Sequence, residues 1–205
     1  MVQKREYLKE SASQTAGPYV HIGCMPNFSG ISIYGGSDLG SAMKTGPVKG
    51  EEITIRGTVF DGVGTPVRDA MIEIWQADGA GLYPSANETR GTPDPNFTGF
   101  GRSPGDPETG EFVFETVKPG RVPFRDGSMM APHATIWIVA RGINIGLQTR
   151  LYFEDEEAAN AEDPILTRIE HQSRVPTLLA RKLATGEYRF DVHLQGSSET
   201  IFFDF

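Results

Sequence analysis

The sequence predicts an all-β protein: a β-sandwich with an irregular N-terminal arm and short helical insertions. Three observations lead there. Apolar and polar residues alternate with a period of two, in runs enriched in β-branched and aromatic side chains. The 24 glycines and 14 prolines fall mostly between those runs, as a fold of many turns requires. Helical patterning is confined to two short stretches, which read as insertions and not as a layer.

Along the chain, residues 1–50 show no clear period and include Ser29-Gly30 and Gly35-Gly36, so they read as an arm that packs on the sandwich or on another chain. A first strand is expected at 53–60, ended by Asp61-Gly62-Val63-Gly64, and a second at 71–75. Further strands are expected at 111–117, 135–140, 150–153, 188–194 and 200–203, with Trp75 and Trp137 as core aromatics. The helical stretches are 154–161, whose acidic start favours the helix dipole, and 177–183. No internal repeat or low-complexity tract interrupts the pattern. The division is therefore an arm at 1–50 and a β-sandwich core at 51–205, one domain overall. At 205 residues and 38% hydrophobic, the chain is long enough for a sizeable core.

Composition narrows the function classes. A formal net charge of -8 argues against nucleic acid as a partner, because phosphate neutralisation needs clustered Lys and Arg. An anionic ligand would need locally placed cations, which makes Arg121, Arg125 and Arg141 candidates. No apolar run reaches the ~18 residues of a membrane span, and the start, Met1-Val2-Gln3-Lys4-Arg5-Glu6-Tyr7, lacks a signal-peptide core. A soluble, cytoplasmic protein is expected, without a membrane partner. The single cysteine, Cys24, excludes an internal disulfide and has no adjacent histidine to activate it.

The motifs that bear on function lie in one order along the chain. Ser13-Gln14-Thr15-Ala16-Gly17-Pro18-Tyr19 is followed by Glu73-Ile74-Trp75-Gln76-Ala77-Asp78 and by Asp94-Pro95-Asn96-Phe97 with Gly101-Arg102. Thr116-Val117-Lys118-Pro119-Gly120-Arg121-Val122-Pro123-Phe124, Ala131-Pro132-His133-Ala134-Thr135, Ala140-Arg141-Gly142-Ile143-Asn144 and the ending Phe202-Phe203-Asp204-Phe205 complete the series. Together they resemble the intradiol ring-cleaving dioxygenases, and specifically the non-catalytic chain of the heteromeric members.

In the catalytic chains of that family, two tyrosinates and two histidines hold ferric iron, with a tyrosine in a PGxYP turn and an HxH pair on the next strand. Here Val122 stands in the turn, Thr135 follows His133, and the stretch from Asn87 to Pro93 holds no tyrosine; Tyr83 matches a non-ligand tyrosine. Residues i and i+2 of a strand share a face, so nothing adjacent replaces the missing imidazole. His133 then reads as a hydrogen-bonded remnant, and Arg121 and Arg125 as groups that fill the space of the metal. The resemblance implies that this chain supplies neither catalytic residues nor metal ligands. Fe(III) would be held by a homologous catalytic beta chain, and a small aromatic dihydroxybenzoate would be cleaved with O2. It also implies a substrate-binding share for Thr15, Gly17, Pro18, Tyr19 and Arg141.

Each of these has a plainer reading. Gly17-Pro18 is also an ordinary chain-bending dipeptide, and Arg141 is also a strand-end arginine paired with a surface acid. Glycine at 17 would let backbone approach a ligand, with Pro18 stiffening the approach. A guanidinium at 141 would suit a carboxylate. Two further readings of the whole chain stay open: an independent iron dioxygenase whose ligands include His133 and distant residues, and a non-enzymatic β-sandwich binding module. Iron content and visible colour of the chain alone separate the first from the subunit reading. A stable monomer without a homologous partner would favour the second.

Overall fold

Most strands alternate buried and accessible residues, and that alternation decides which residues reach the core and which are left for other work. The computed structural model describes residues 14–144 and 146–204. Ser13, the first seven residues and Phe205, named above, lie outside the described residues.

Among the described residues nine strands form: β1 (Glu52–Phe60), β2 (Met71–Gln76), β3 (Phe100–Pro104), β4 (Glu111–Val117), β5 (His133–Val139), β6 (Leu147–Phe153), β7 (Leu179–Ala184), β8 (Glu187–Arg189) and β9 (Val192–His193). Their order is β3-β2-β5-β6-β7-β8-β1-β4, with β9 also on β1. Pairing is antiparallel except at β6–β7, β1–β8 and β1–β9. The halves β3-β2-β5-β6 and β7-β8-β1-β4 join through the two residue pairs Tyr152↔Leu179 and Phe153↔Ala180. They share one core. Ile72 and Ile74 of β2, Ile136 and Ile138 of β5, and Leu151 and Phe153 of β6 pack with Ile53, Ile55, Phe112, Phe114 and Tyr188 of the other half. Across the far opening, the Val113 N–H donates to Ser103 Oγ at 3.2 Å and links β4 to β3. The expected sandwich is thus present, built from one continuous strand order that folds over on itself.

Several expectations change. Of residues 177–183 only the first two are helical, as the end of a 3₁₀ helix (Gln172–Leu178), and β7 follows. Leu, Ala, Arg and Lys favour helix intrinsically, but β6 and β8 offer ladder partners on both sides, and tertiary pairing outweighs propensity. Residues 200–203 form no strand, although Phe203 N–H donates to the Gln148 carbonyl at 2.8 Å. The expected strand at 188–194 is broken into β8 and β9. The helical stretch at 154–161 appears as α2 (Glu157–Glu162).

Trp75 and Trp137 are not core residues, being 37% and 36% exposed. They share a face with Glu73 and Thr135, opposite to the buried Ile74 and Ile136. Before β1 lies a seven-residue helix, α1 (Pro18–Cys24), where irregular chain was expected; Gly17 is its extended cap and Pro18 its first residue, a position that suits the fixed φ of proline. Met25 and Met43 anchor this segment, while α1 itself buries no residue. Among the described residues no helix is long and apolar enough to cross a membrane.

Candidate functional site

The two groups of singled-out residues sit at opposite ends of β5. At its first residue, His133 is buried, and Tyr152 is its cross-strand partner. The ring Nδ1 lies 2.8 Å from the Ala131 carbonyl. A carbonyl can only accept, so Nδ1 carries the proton of the neutral ring. Burial, reinforced by the Arg150 charge, lowers its pKa to about 4. Ala131 is fixed in turn: its N–H donates to Asp163 Oδ2 at 2.8 Å, while Asp163 Oδ1 accepts from Ile165 and Leu166 N–H at 2.8 and 2.9 Å. The Tyr152 hydroxyl donates to the same carboxylate at 3.4 Å.

The turn carrying Val122 is pressed against the loop at 78–82. Gly120 N–H donates to the Asp78 carbonyl at 2.9 Å. Gly81 has φ +79, and a Cβ there would stand 2.2 Å from the Arg121 carbonyl, so only glycine fits. Val122 is buried with Ala77 and Met130, under Tyr83, Phe124 and Ile165. Tyr83 stacks on Trp75 with ring centroids 5.9 Å apart.

Arg150 pairs across the ladder with Thr135 and shares its face. Its Nη1 lies 3.4 Å from both the Met130 sulfur and the Tyr152 hydroxyl. Its charge acts on His133, Tyr83 and Tyr152 together, opposing the rise that burial causes in both phenols. Arg150 therefore sits among the residues that Arg121 and Arg125 were expected to reach. Arg121 instead donates to the carbonyls of Met129 and Met130, at 2.8 and 3.1 Å, and Arg125 lies over the Phe124 ring. This donor set does not fit ferric iron: Val122 is aliphatic, Thr135 is a neutral hydroxyl, and a fixed cation occupies the neighbourhood. Among the described residues no three His, Cys, Asp or Glu side chains converge as metal ligands.

At the other end of β5 the N-terminal segment meets the loop at 140–144. The Gly142 N–H donates to Thr15 Oγ1 at 2.8 Å, Gln14 N–H donates to Asn144 Oδ1 at 2.9 Å, and Thr15 pairs with Asn144 as an isolated bridge. Arg141, its side chain 75% exposed, is paired with Asp69, as the plainer reading expected. Ala16, Gly17, Pro18, His21, Ile22, Ser29, Asp69 and Arg141 line a groove of about 500 Å³. A neighbouring groove of about 640 Å³ shares His21, Asp69 and Arg141. The structure thus brings Thr15, Gly17, Pro18 and Arg141 together; Tyr19, 84% exposed, stands outside the walls. Sequence reasoning missed Asp69 and Arg150, and it named Asn144 only as part of a motif, with no role.

Residues 37–196 match the family model described as Dioxygenase. The chain is 44% identical to the protocatechuate 3,4-dioxygenase alpha chain of Pseudomonas putida, covering 98% of each. It is 33% identical to the protocatechuate 3,4-dioxygenase beta chain of Burkholderia cepacia, covering 82% of this chain and 78% of that one. The fold is similar to that of 3-chlorocatechol 1,2-dioxygenase from Rhodococcus opacus 1CP, with TM-score 0.57 and 24% identity over 76% of this chain and 65% of that one. The chain belongs to the intradiol dioxygenase family, and within it is similar along nearly its whole length to alpha chains of protocatechuate 3,4-dioxygenase.

Proposed function

We propose that this chain is the non-iron-binding alpha subunit of a heteromeric protocatechuate 3,4-dioxygenase. The complex opens 3,4-dihydroxybenzoate with O2 between its hydroxylated carbons, giving 3-carboxy-cis,cis-muconate, while a homologous beta chain holds Fe(III). One observation carries the reading. The groove at Arg141 and the closed-over pocket at His133 lie at opposite ends of β5, about 20 Å apart for seven strand residues. Among the described residues no iron-like site lies beside the groove, which supports a centre held by another chain.

The parts then take defined roles. Residues 1–50 act as an arm reaching toward the beta chain, and residues 51–205 form the core that carries it. Gly17 admits substrate close to backbone, Pro18 stiffens that approach, Thr15 pins the arm beside Arg141, and Arg141 binds the substrate carboxylate. Tyr19, Ile22, Phe28, Ile31, Ile33, Tyr34 and Leu39 are all exposed, and α1 buries nothing, as suits a segment completed by a partner. The compartment is the cytoplasm.

The test is to produce the chain alone and together with its beta chain, then measure iron, visible absorption and oxygen uptake with 3,4-dihydroxybenzoate. The chain alone is expected to be colourless and inactive, and the complex iron-bearing and active. Iron-dependent ring cleavage by the chain alone would overturn the reading. In the complex, Arg141→Ala is expected to raise KM about 10- to 100-fold, the loss of one charged hydrogen bond or more.

A further inference from the structure

The guanidinium of Arg141 is held, although most of its surface is open to solvent. Its Nε and Nη2 both donate to Oδ2 of Asp69, at 2.9 and 2.5 Å. Asp69 lies in the turn that leads into β2, and Arg141 in the turn that follows β5, the neighbour of β2. Two loops at the same end of adjacent strands are thereby tied by one side-chain pair. Asp69 and Arg141 both line each of the two grooves described above.

We propose that Asp69 is a positioning residue for substrate. It holds Arg141 by the Nε–Nη2 edge, so that the end-on edge, Nη1 with Nη2, is presented to the substrate carboxylate in a bidentate geometry. The inference rests on the reading of Arg141 given under the proposed function. A long arginine side chain loses rotamer freedom when it binds, and a guanidinium fixed beforehand spares that loss. Asp69 also has an opposing effect, since its negative charge offsets part of the attraction for an anion. In the chain alone solvent weakens that effect, because the Asp69 side chain is 43% exposed. On this proposal geometry outweighs charge in the complex, so that removing Asp69 weakens binding.

The experiment uses the complex with its catalytic beta chain and two substrates, 3,4-dihydroxybenzoate and catechol, which lacks the carboxylate. Asp69→Ala is expected to raise the KM ratio of the first to the second about 5- to 10-fold, as for a displaced carboxylate clamp. Asp69→Asn keeps an acceptor oxygen, so its ratio should fall between those of Asp69→Ala and the unsubstituted complex; it also serves if Asp69→Ala fails to assemble. The double variant Asp69→Ala, Arg141→Ala should be no worse than Arg141→Ala alone, because Asp69 acts through Arg141. A ratio that falls on Asp69→Ala would mean that charge wins and would overturn the proposal. An equal rise for both substrates, or a double variant worse than Arg141→Ala, would overturn it as well. If Arg141→Ala itself leaves the ratio unchanged, the reading of Arg141 fails and the proposal falls with it. If only Asp69→Ala leaves it unchanged, Asp69 alone is misassigned.

Discussion

Arg150 and His133 show how one charge acts on a buried neighbour. The guanidinium beside a buried imidazole disfavours its protonation, so Arg150→Met is expected to raise the His133 pKa from about 4, measured by NMR titration of the ring. The same depression makes the protein acid-sensitive. An unfolded imidazole titrates near ~6.5, so the stability held in neutral His133 is complete above that pH. As pH falls through about 4 it is lost, roughly 3 kcal/mol in all. Urea denaturation at stepped pH should show this slope, and His133→Phe should flatten it between those limits. Val122, Thr135 and His133 were readable in the sequence because each sits inside a motif of fixed spacing. Arg150 was not, because only the β5–β6 register places it beside Thr135. Asp69 had no signal, and Asn144 stood in a quoted motif with no role read for it, since both are loop residues whose partners lie 72 and 130 positions away. The exposure of Trp75 and Trp137 was legible: the alternation sets them with Glu73 and Thr135, but the habit of burying aromatic strand residues overrode it.

At the level of strands, the end of β4 is tied to β7, β8 and the turn after β6 by one charged network. Lys118 Nζ lies 3.1 Å from Asp155 and 2.7 Å from Glu156, Lys182 Nζ lies 2.8 Å from Asp155, and the Tyr188 hydroxyl donates to Asp155 at 3.0 Å. Burial opposes ionisation of Asp155, but the bonds from Lys182, Lys118 and Tyr188 prevail and bring its pKa to about 2. Asp155→Asn should therefore cost about 2–3 kcal/mol at neutral pH, with the gap to the unsubstituted protein closing below pH ~4. Gly57 is a steric counterpart in β1: a Cβ there would stand 1.9 Å from the Phe190 carbonyl. Gly57→Ala is expected to destabilise by about 3 kcal/mol or more, seen as a fall in Tm. Strands β1, β2, β4 and β5 were legible because their alternation is strong and one face is mostly apolar, whereas of β6 only 150–153 was read. β3 escaped because Phe100-Gly101-Arg102-Ser103-Pro104 carries two residues that usually break strands, and β7 because its residues prefer helix.

For the molecule as a whole, the apolar residues exposed between Tyr19 and Leu39 set its solution behaviour. Added beta chain should raise the Tm of this chain in a concentration-dependent way, as binding to the folded state alone requires, and calorimetry of mixtures would measure it. The strand order carries a second consequence, for synthesis. β1 is made early, yet two of its three partners, β8 and β9, come from residues 187–193. Until the ribosome has passed that point, β1 keeps an unsatisfied hydrogen-bonding edge, and the apolar interior between the halves stays open. The nascent polypeptide thus cannot complete its sandwich piecemeal, and chaperone dependence during translation is the expected cost of placing the closing strands so late.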